Sequence, residues 1–303
     1  SFLPQFSELN ESLLDYLGLI WWAVLLGLVL GGMIDYFVPE AFIFRFLGQR
    51  RKRSIFYAVV AGFIMSACSH GILAISMQLH KKGASTPAVI TFLMASPWAN
   101  LPMTILLFSF FGWQALLFVL GAMVVALITG FAYMGLARMG WIEPQPEAPD
   151  QDEPDWSRIR HFQPREALRG VSMGTLSLTN MVLWWILIGV MAASLLRAYV
   201  PEGMFMEYFG PDIAGLGLTL LFATIIEVCS EGTSPLAFEI FNQVGALGNP
   251  FVFLMAGVAT DYTEIGLIWS NIGKRSAIWL PVITVPQILL LGWAMNVFMT
   301  PIA

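Results

Sequence analysis

The chain has 303 residues, of which 57% are hydrophobic and 12% charged, with a formal net charge of −5. Its mean hydropathy is +0.74, and soluble domains carry roughly 25% charged residues, so the composition places this chain in a bilayer. Seven of the 20 acidic residues fall in one loop, no basic stripe offers a nucleic-acid surface, and two cysteines exclude a disulfide framework and a Cys-rich zinc domain.

Residues 1–10 hold no basic n-region and no small-residue cleavage site, so the first apolar run reads as a retained helix and not a signal peptide. After a short polar stretch, residues 1–12, that run extends from Leu13 to Phe37, and a spanning helix needs about 20 apolar residues. Trp21 and Trp22 sit too centrally for the headgroup level and are expected to pack. Gln49-Arg50-Arg51-Lys52-Arg53 follows as the densest basic run. Ile55 to Leu79 is apolar, but its middle reads Ser66-Ala67-Cys68-Ser69-His70-Gly71, and such small and polar residues predict a break. His80-Lys81-Lys82-Gly83 ends it. Thr86 to Phe110 is interrupted by Ser96-Pro97-Trp98-Ala99-Asn100-Leu101-Pro102. Each proline disfavours helix just before it, which predicts a second discontinuous helix. Gly112-Trp113 turns the chain, and Leu116 to Leu136 spans again.

Gly140 to Arg169 carries Glu143, Glu147, Asp150, Asp152, Glu153 and Asp155 among prolines, then Arg158, Arg160, Arg165 and Arg169. It reads as a linker with an amphipathic basic end at the membrane surface. Further apolar runs follow over Val171–Tyr199, Leu216–Val244, Pro250–Asn271 and Ile278–Phe298, with Asp261 and Glu264 inside the third. The expected organisation is a membrane repeat over 1–139, a linker over 140–169, and a second membrane repeat over 170–303.

The repeat is legible residue by residue. Cys68-Ser69-His70-Gly71 and Phe92-Leu93-Met94-Ala95 recur as Cys229-Ser230-Glu231-Gly232 and Phe253-Leu254-Met255-Ala256, at a constant offset of 161 residues. Upstream, Val38-Pro39-Glu40 matches Val200-Pro201-Glu202, and Phe46-Leu47-Gly48 matches Tyr208-Phe209-Gly210. Asn100 stands opposite Asp261. The expected class is an all-α integral membrane protein built from two inverted-topology repeats. It would have six full transmembrane helices and two re-entrant helical hairpins. The alternative is eight transmembrane helices in parallel repeats. The positive-inside rule favours the first arrangement, which leaves every Lys and Arg except Arg197 on the cytoplasmic side. It puts the 140–169 linker in the cytoplasm and both termini outside.

Two matched breaks at membrane depth point to a binding site at the repeat interface, because non-helical backbone survives there only inside protein or beside a wet cavity. Cys68 and Cys229 fall at those breaks. A thiolate suits soft ions and metalloids, and the alternative is that both cysteines are small buried hydrophobes. His70 and Glu231, repeat mates, are ligands or proton carriers, or else satisfy carbonyls freed by the break. The metal set is thus Cys68, His70, Cys229 and Glu231, and the substrate set adds Ser69, Asn100, Ser230 and Asp261. Proton coupling falls to His70, Glu231, Asp261 and Glu227. Asp261 and Glu264 share a helix face if the helix is unbroken, and Glu264 is expected at the membrane surface. Met94 and Met255 read as core filler. No Walker loop, HExxH, GxSxG or weighty GxGxxG is present, so no cofactor and no enzymatic activity is expected. The rival from another class is a thiol oxidoreductase cycling Cys68 and Cys229.

Taken together, Cys68-Ser69-x-Gly71, Lys82-Gly83-Ala84-Ser85, Phe92-Leu93-Met94-Ala95-Ser96-Pro97 and Glu227-Val228-Cys229-Ser230-Glu231 resemble the ArsP/YraQ-type predicted permeases. The resemblance covers roughly residues 54–110 and 211–272. It implies a multi-pass permease of the bacterial inner membrane that exports a trivalent organoarsenical or a metal ion. The family usually shows Cys-Ser-Cys-Gly in the first block, and this chain has His70 at the second cysteine. A Cys/His/Cys/Glu set suits a borderline divalent ion as well as a metalloid. A small sulfur-containing or other anionic substrate, held at the positive ends of half-helices, is a further alternative. The expected partners are the substrate and the lipid bilayer, with a homo-oligomer and a soluble partner at the 140–169 linker as additional expectations.

Overall fold

The computed structural model describes residues 2–37, 47, 52–65, 69–81, 83–144, 163–199, 208–226 and 230–299. Among them every regular element is helical. Lipid offers no partner to a backbone N–H or C=O, and the helix satisfies both within the segment. The first helices are α1 (Phe2–Phe37), α2 (Lys52–Ile64), α3 (Ser69–Lys81), α4 (Thr86–Ala99), α5 (Leu101–Phe111) and α6 (Ala115–Met139). They are followed by α7 (Pro164–Tyr199), α8 (Ile213–Ile226), α9 (Ser230–Val244), α10 (Gly248–Ala259), α11 (Tyr262–Asn271) and α12 (Lys274–Met299). A single 3₁₀ turn, Gly112–Gln114, joins α5 to α6.

The centre of the molecule is α4 and α10. All 14 residues of α4 are buried, and in α10 every residue but Gly257 is. A helix apolar on all sides belongs inside protein. α4 packs against α2, α3 and α6, and α10 packs in the same way against α8, α9 and α12. The two central helices touch each other, α6 touches α12, and α1 lies along α7. Small residues allow these close approaches. A Cβ at Gly130 of α6 would fall on the Thr91 hydroxyl of α4, and one at Gly248 of α10 on the Gly292 carbonyl of α12. Where α5, α6 and α9 meet, Phe111 stands edge-on to Phe118 and to Phe238, at ring distances of 4.7 and 5.5 Å.

The outer helices carry exposed apolar stripes, the reverse of a soluble protein. On α1 the stripe is Trp21, Leu25, Val29 and Met33, and on α6 it is Leu116, Leu120, Val124 and Ile128. Trp21 is 60% exposed and Trp22 is exposed too, so neither packs within the chain as the sequence led one to expect. Both side chains face the surroundings, where lipid costs an indole little. Three stretches are long and apolar enough to cross a membrane among the described residues: Leu101–Met139, Gly248–Asn271 and Lys274–Met299. The protein is an all-α membrane protein.

α1 begins at Phe2, well before the expected Leu13, so the polar opening is helical as well. Ile55–Leu79 is divided into α2 and α3, and Thr86–Phe110 into α4 and α5, both as expected. Pro250–Asn271, read as one run, is also divided, into α10 and α11.

Candidate functional site

Among the described residues three interrupted helices each end one half-helix and begin another: α2 and α3, α4 and α5, α10 and α11. A helix start leaves backbone N–H groups without intrahelical partners. At the α4–α5 break, Asn100 is extended, at φ −70° and ψ 155°, and its Oδ1 accepts the Met103 N–H at 2.7 Å. Its own N–H still reaches Ser96 O at 3.2 Å, and its carbonyl accepts Thr104 N–H at 2.9 Å. Pro102, in the first turn of α5, has no N–H to satisfy. The α10–α11 break repeats this chemistry. Asp261 Oδ1 accepts the Glu264 N–H at 3.1 Å, and its carbonyl accepts Ile265 N–H at 3.0 Å. A side-chain oxygen in this position is an N-cap. The two positions that the repeat aligns therefore do the same work.

Both caps are inside the protein, Asn100 at 2% exposure and Asp261 at 6%. Asp261 and Glu264 do not share the face of an unbroken helix, because the chain breaks at Thr260–Asp261. Glu264 is enclosed by protein: it is 2% exposed, in the first turn of α11. Thr260 and Thr224 of α8 hydrogen-bond at 2.7 Å, which ties the α10–α11 break to the last turn of α8.

The breaks are brought together across the two halves. The Ser234 hydroxyl, at the start of α9, donates to the Met103 sulfur in the first turn of α5, at 3.7 Å. α3 packs against α11, and α5 against α9. Beside the first break lie buried polar groups with no hydrogen-bond partner among the described residues, the Ser96 and Thr104 hydroxyls and the Trp98 indole N–H, and the Ser76 hydroxyl of α3 is in the same state. Ser96 Oγ faces Gly62 of α2, where a Cβ would come within 2.9 Å of it. A buried orphan donor costs about 1–3 kcal/mol.

Cys68, Cys229 and Glu227 lie outside the described residues, and so do the side chains of Ser69, His70, Ser230 and Glu231. The backbone of Ser69 and His70 opens α3, and that of Ser230 and Glu231 opens α9. Met94 and Met255 are buried in α4 and α10, as core filler should be. One buried carboxylate escaped the sequence reading. Glu239 of α9 sits in the apolar run Leu216–Val244, where an acid is itself a signal. Its repeat mate is Gln78, so a search for matched ionisable pairs passes over it.

A family model described as a predicted permease, ArsP_1, matches residues 5–297. The chain belongs to this predicted-permease family. The UPF0718 protein YcgR of Bacillus subtilis is 25% identical over 83% of this chain and 84% of its own length. A Streptococcus mutans protein named as a putative two-component membrane permease complex subunit is 25% identical over 80% of this chain and 79% of its own. The UPF0718 protein YraQ of Escherichia coli is 25% identical over 48% of this chain and 41% of its own. No solved structure matches the chain. Family and composition agree on a multi-pass membrane permease.

Proposed function

We propose that this permease is a secondary transporter that exports a soft metal ion or metalloid, an organoarsenical included. The observation that carries the reading is the pair of matched breaks capped by Asn100 and Asp261, with α5, which the first cap opens, held to α9 of the other half through Met103 and Ser234. Discontinuous helices at corresponding places of two repeats are where transporters hold substrate. The proposed architecture is an inverted repeat, 1–139 and 170–303, with six crossings, two re-entrant hairpins and a cytoplasmic linker over 140–169. Cys68 and Cys229 contact the substrate, His70 and Glu231 assist ligation, and Glu231, Asp261, Glu227 and His70 couple protons. The name of the S. mutans relative supports a second component, and the linker is the seat proposed for it.

A second reading has its own observation. The partnerless groups near the first break, Trp98 N–H and the Ser96 and Thr104 hydroxyls, can all donate. Donors beside half-helix starts suit an acceptor-rich anion. The test is binding to the purified protein of zinc, cobalt, copper(I), a trivalent arsenical and thiosulfate, for wild type and for Cys68→Ser/Cys229→Ser. Binding of one soft species that the double variant loses supports the first reading. Thiosulfate binding that survives the double variant sinks it in favour of the second.

A further inference from the structure

α6 ends at Met139 and α12 begins at Lys274, and the two helices meet at that end, where the Tyr133 hydroxyl donates to Ser276 O. A cleft of about 530 Å³ opens there, lined by Met134 and Arg138 of α6, by Gly140, Ile142 and Glu143 after it, and by Arg275 of α12. Arg138 and Arg275 are exposed. Arg138 Nη2 donates to the Met134 sulfur at 3.7 Å, and Arg275 Nη1 to the Gly140 carbonyl at 3.5 Å, both long contacts. A guanidinium carries five N–H donors, so among the described residues both keep most of theirs unused. The Glu143 carboxylate is already engaged, by the N–H groups of Arg275 and Ser276 and by the Ser276 hydroxyl. Lys274, exposed beside Arg275, adds a further cation, and its Nζ lies 5.5 Å over the Trp269 ring. The balance at this end is positive and suits an anion.

The surroundings of the cleft say which kind. Trp141 and Trp279 stack beside it, with ring centroids 5.7 Å apart and planes at 22°, and Trp269 is exposed in the last turn of α11. Tryptophan collects at the level of the lipid headgroups. Ile278 and Val282, three and seven residues past Arg275 on α12, are 54% and 52% exposed. That spacing puts them on the helix face of Arg275, so an apolar ridge leads away from the cation. A soluble anion has no use for the ridge. A phospholipid does, with its phosphate at the arginines and its acyl chains along the ridge.

We propose that this cleft binds an anionic phospholipid, whose phosphate bridges Arg138 of α6 and Arg275 of α12. The planar guanidinium pairs its N–H groups with phosphate oxygens and keeps its charge at any physiological pH. The lipid clamps the last helix of one proposed half to the last helix of the other, at the root of the 140–169 linker. The leaflet that supplies it rests on the cytoplasmic linker proposed above, since the cytoplasmic leaflet is the one with a negative surface potential; the site itself does not.

The test is native mass spectrometry of the full-length protein in detergent, with phosphatidylglycerol and phosphatidylcholine of the same acyl chains in equal amounts. Wild type should retain phosphatidylglycerol in preference. Each arginine near the headgroups is worth about fivefold, so Arg138→Gln/Arg275→Gln should lose about 30-fold of that preference. The change leaves the Arg275 backbone bond to Glu143 in place, and the single variants, at about fivefold each, serve if the double variant does not fold. Lys52→Gln/Arg53→Gln, which removes two exposed cations of α2 instead, should keep the wild-type preference. No preference in the wild type overturns the proposal, and so does an equal loss in the two double variants, which means diffuse surface charge. Inorganic phosphate that displaces the lipid at matched concentration also overturns it, in favour of a soluble anion. Phosphatidylglycerol should raise the melting temperature of wild type and not of the arginine variant; an equal rise in both overturns the clamp. No substrate enters these measurements, so they stand or fall apart from the transport reading.

Discussion

At Asn100 a side-chain oxygen takes the Met103 N–H, and at Asp261 a carboxylate takes that of Glu264. Removing either cap leaves a buried donor without a partner, so Asn100→Ala and Asp261→Ala should each cost about 1–2 kcal/mol in chemical unfolding of the solubilised protein. Asp261→Asn keeps the accepting oxygen and should unfold as wild type does. The same variant separates the two roles of Asp261. A proton carrier loses pH-gradient-driven flux on this change, with stability intact, whereas a cap alone loses neither. The first break was readable because Pro97 and Pro102 flank Asn100. The second was not, because no proline stands near Asp261, and an acid in an apolar run reads as a charge site before it reads as a cap. The repeat offset, which pairs Asp261 with Asn100, held the missing information.

One helix start is capped from a distance. The N–H groups of Arg275 and Ser276, in the first turn of α12, donate to Glu143 at 2.7 and 3.1 Å, and Ser276 Oγ donates at 2.7 Å. Gly273, at φ +145°, permits the approach, since a Cβ there would fall on the Glu143 carboxylate. Burial alone would push the Glu143 pKa up, but the Ser276 hydroxyl and the backbone N–H groups of Arg275, Glu143 itself and Ser276 outweigh it and hold the carboxyl below its usual range. A carboxylate whose folded pKa is lowered stabilises above its unfolded pKa, and the contribution fades as pH falls through the folded value. Wild type should therefore lose melting temperature from about pH 5 downwards more steeply than Glu143→Gln does. The acidic composition of the linker was plain in the sequence. That its first acid serves α12 was not, because the contact joins residues far apart in the chain. The α2–α3 division was legible from small and polar residues in an apolar run. The start of α1 was missed because polarity near Glu8 and Glu11 excludes lipid, not helix.

At the scale of the whole molecule, the outer helices present apolar stripes and the central helices present none. The proposed inverted repeat makes one statement that the parallel alternative denies: the linker is cytoplasmic. A cysteine introduced at Gln151, in a Cys68→Ser/Cys229→Ser background, should resist a membrane-impermeant maleimide in intact cells and react in inverted vesicles. Reaction in intact cells would favour eight crossings in parallel repeats. Composition and repeats made the helical membrane class readable. Packing order was not readable, because a helix that faces lipid and a helix enclosed by protein are both apolar. The enclosure of α4 has a consequence for how such a chain drifts over evolutionary time. A stripe such as Trp21, Leu25, Val29 and Met33 asks its residues only for oiliness, and one greasy side chain replaces another at little cost. α4 asks for volume and shape at every position, since the neighbours that enclose it are close-packed. Selection therefore holds the innermost helix and leaves the rim free to wander.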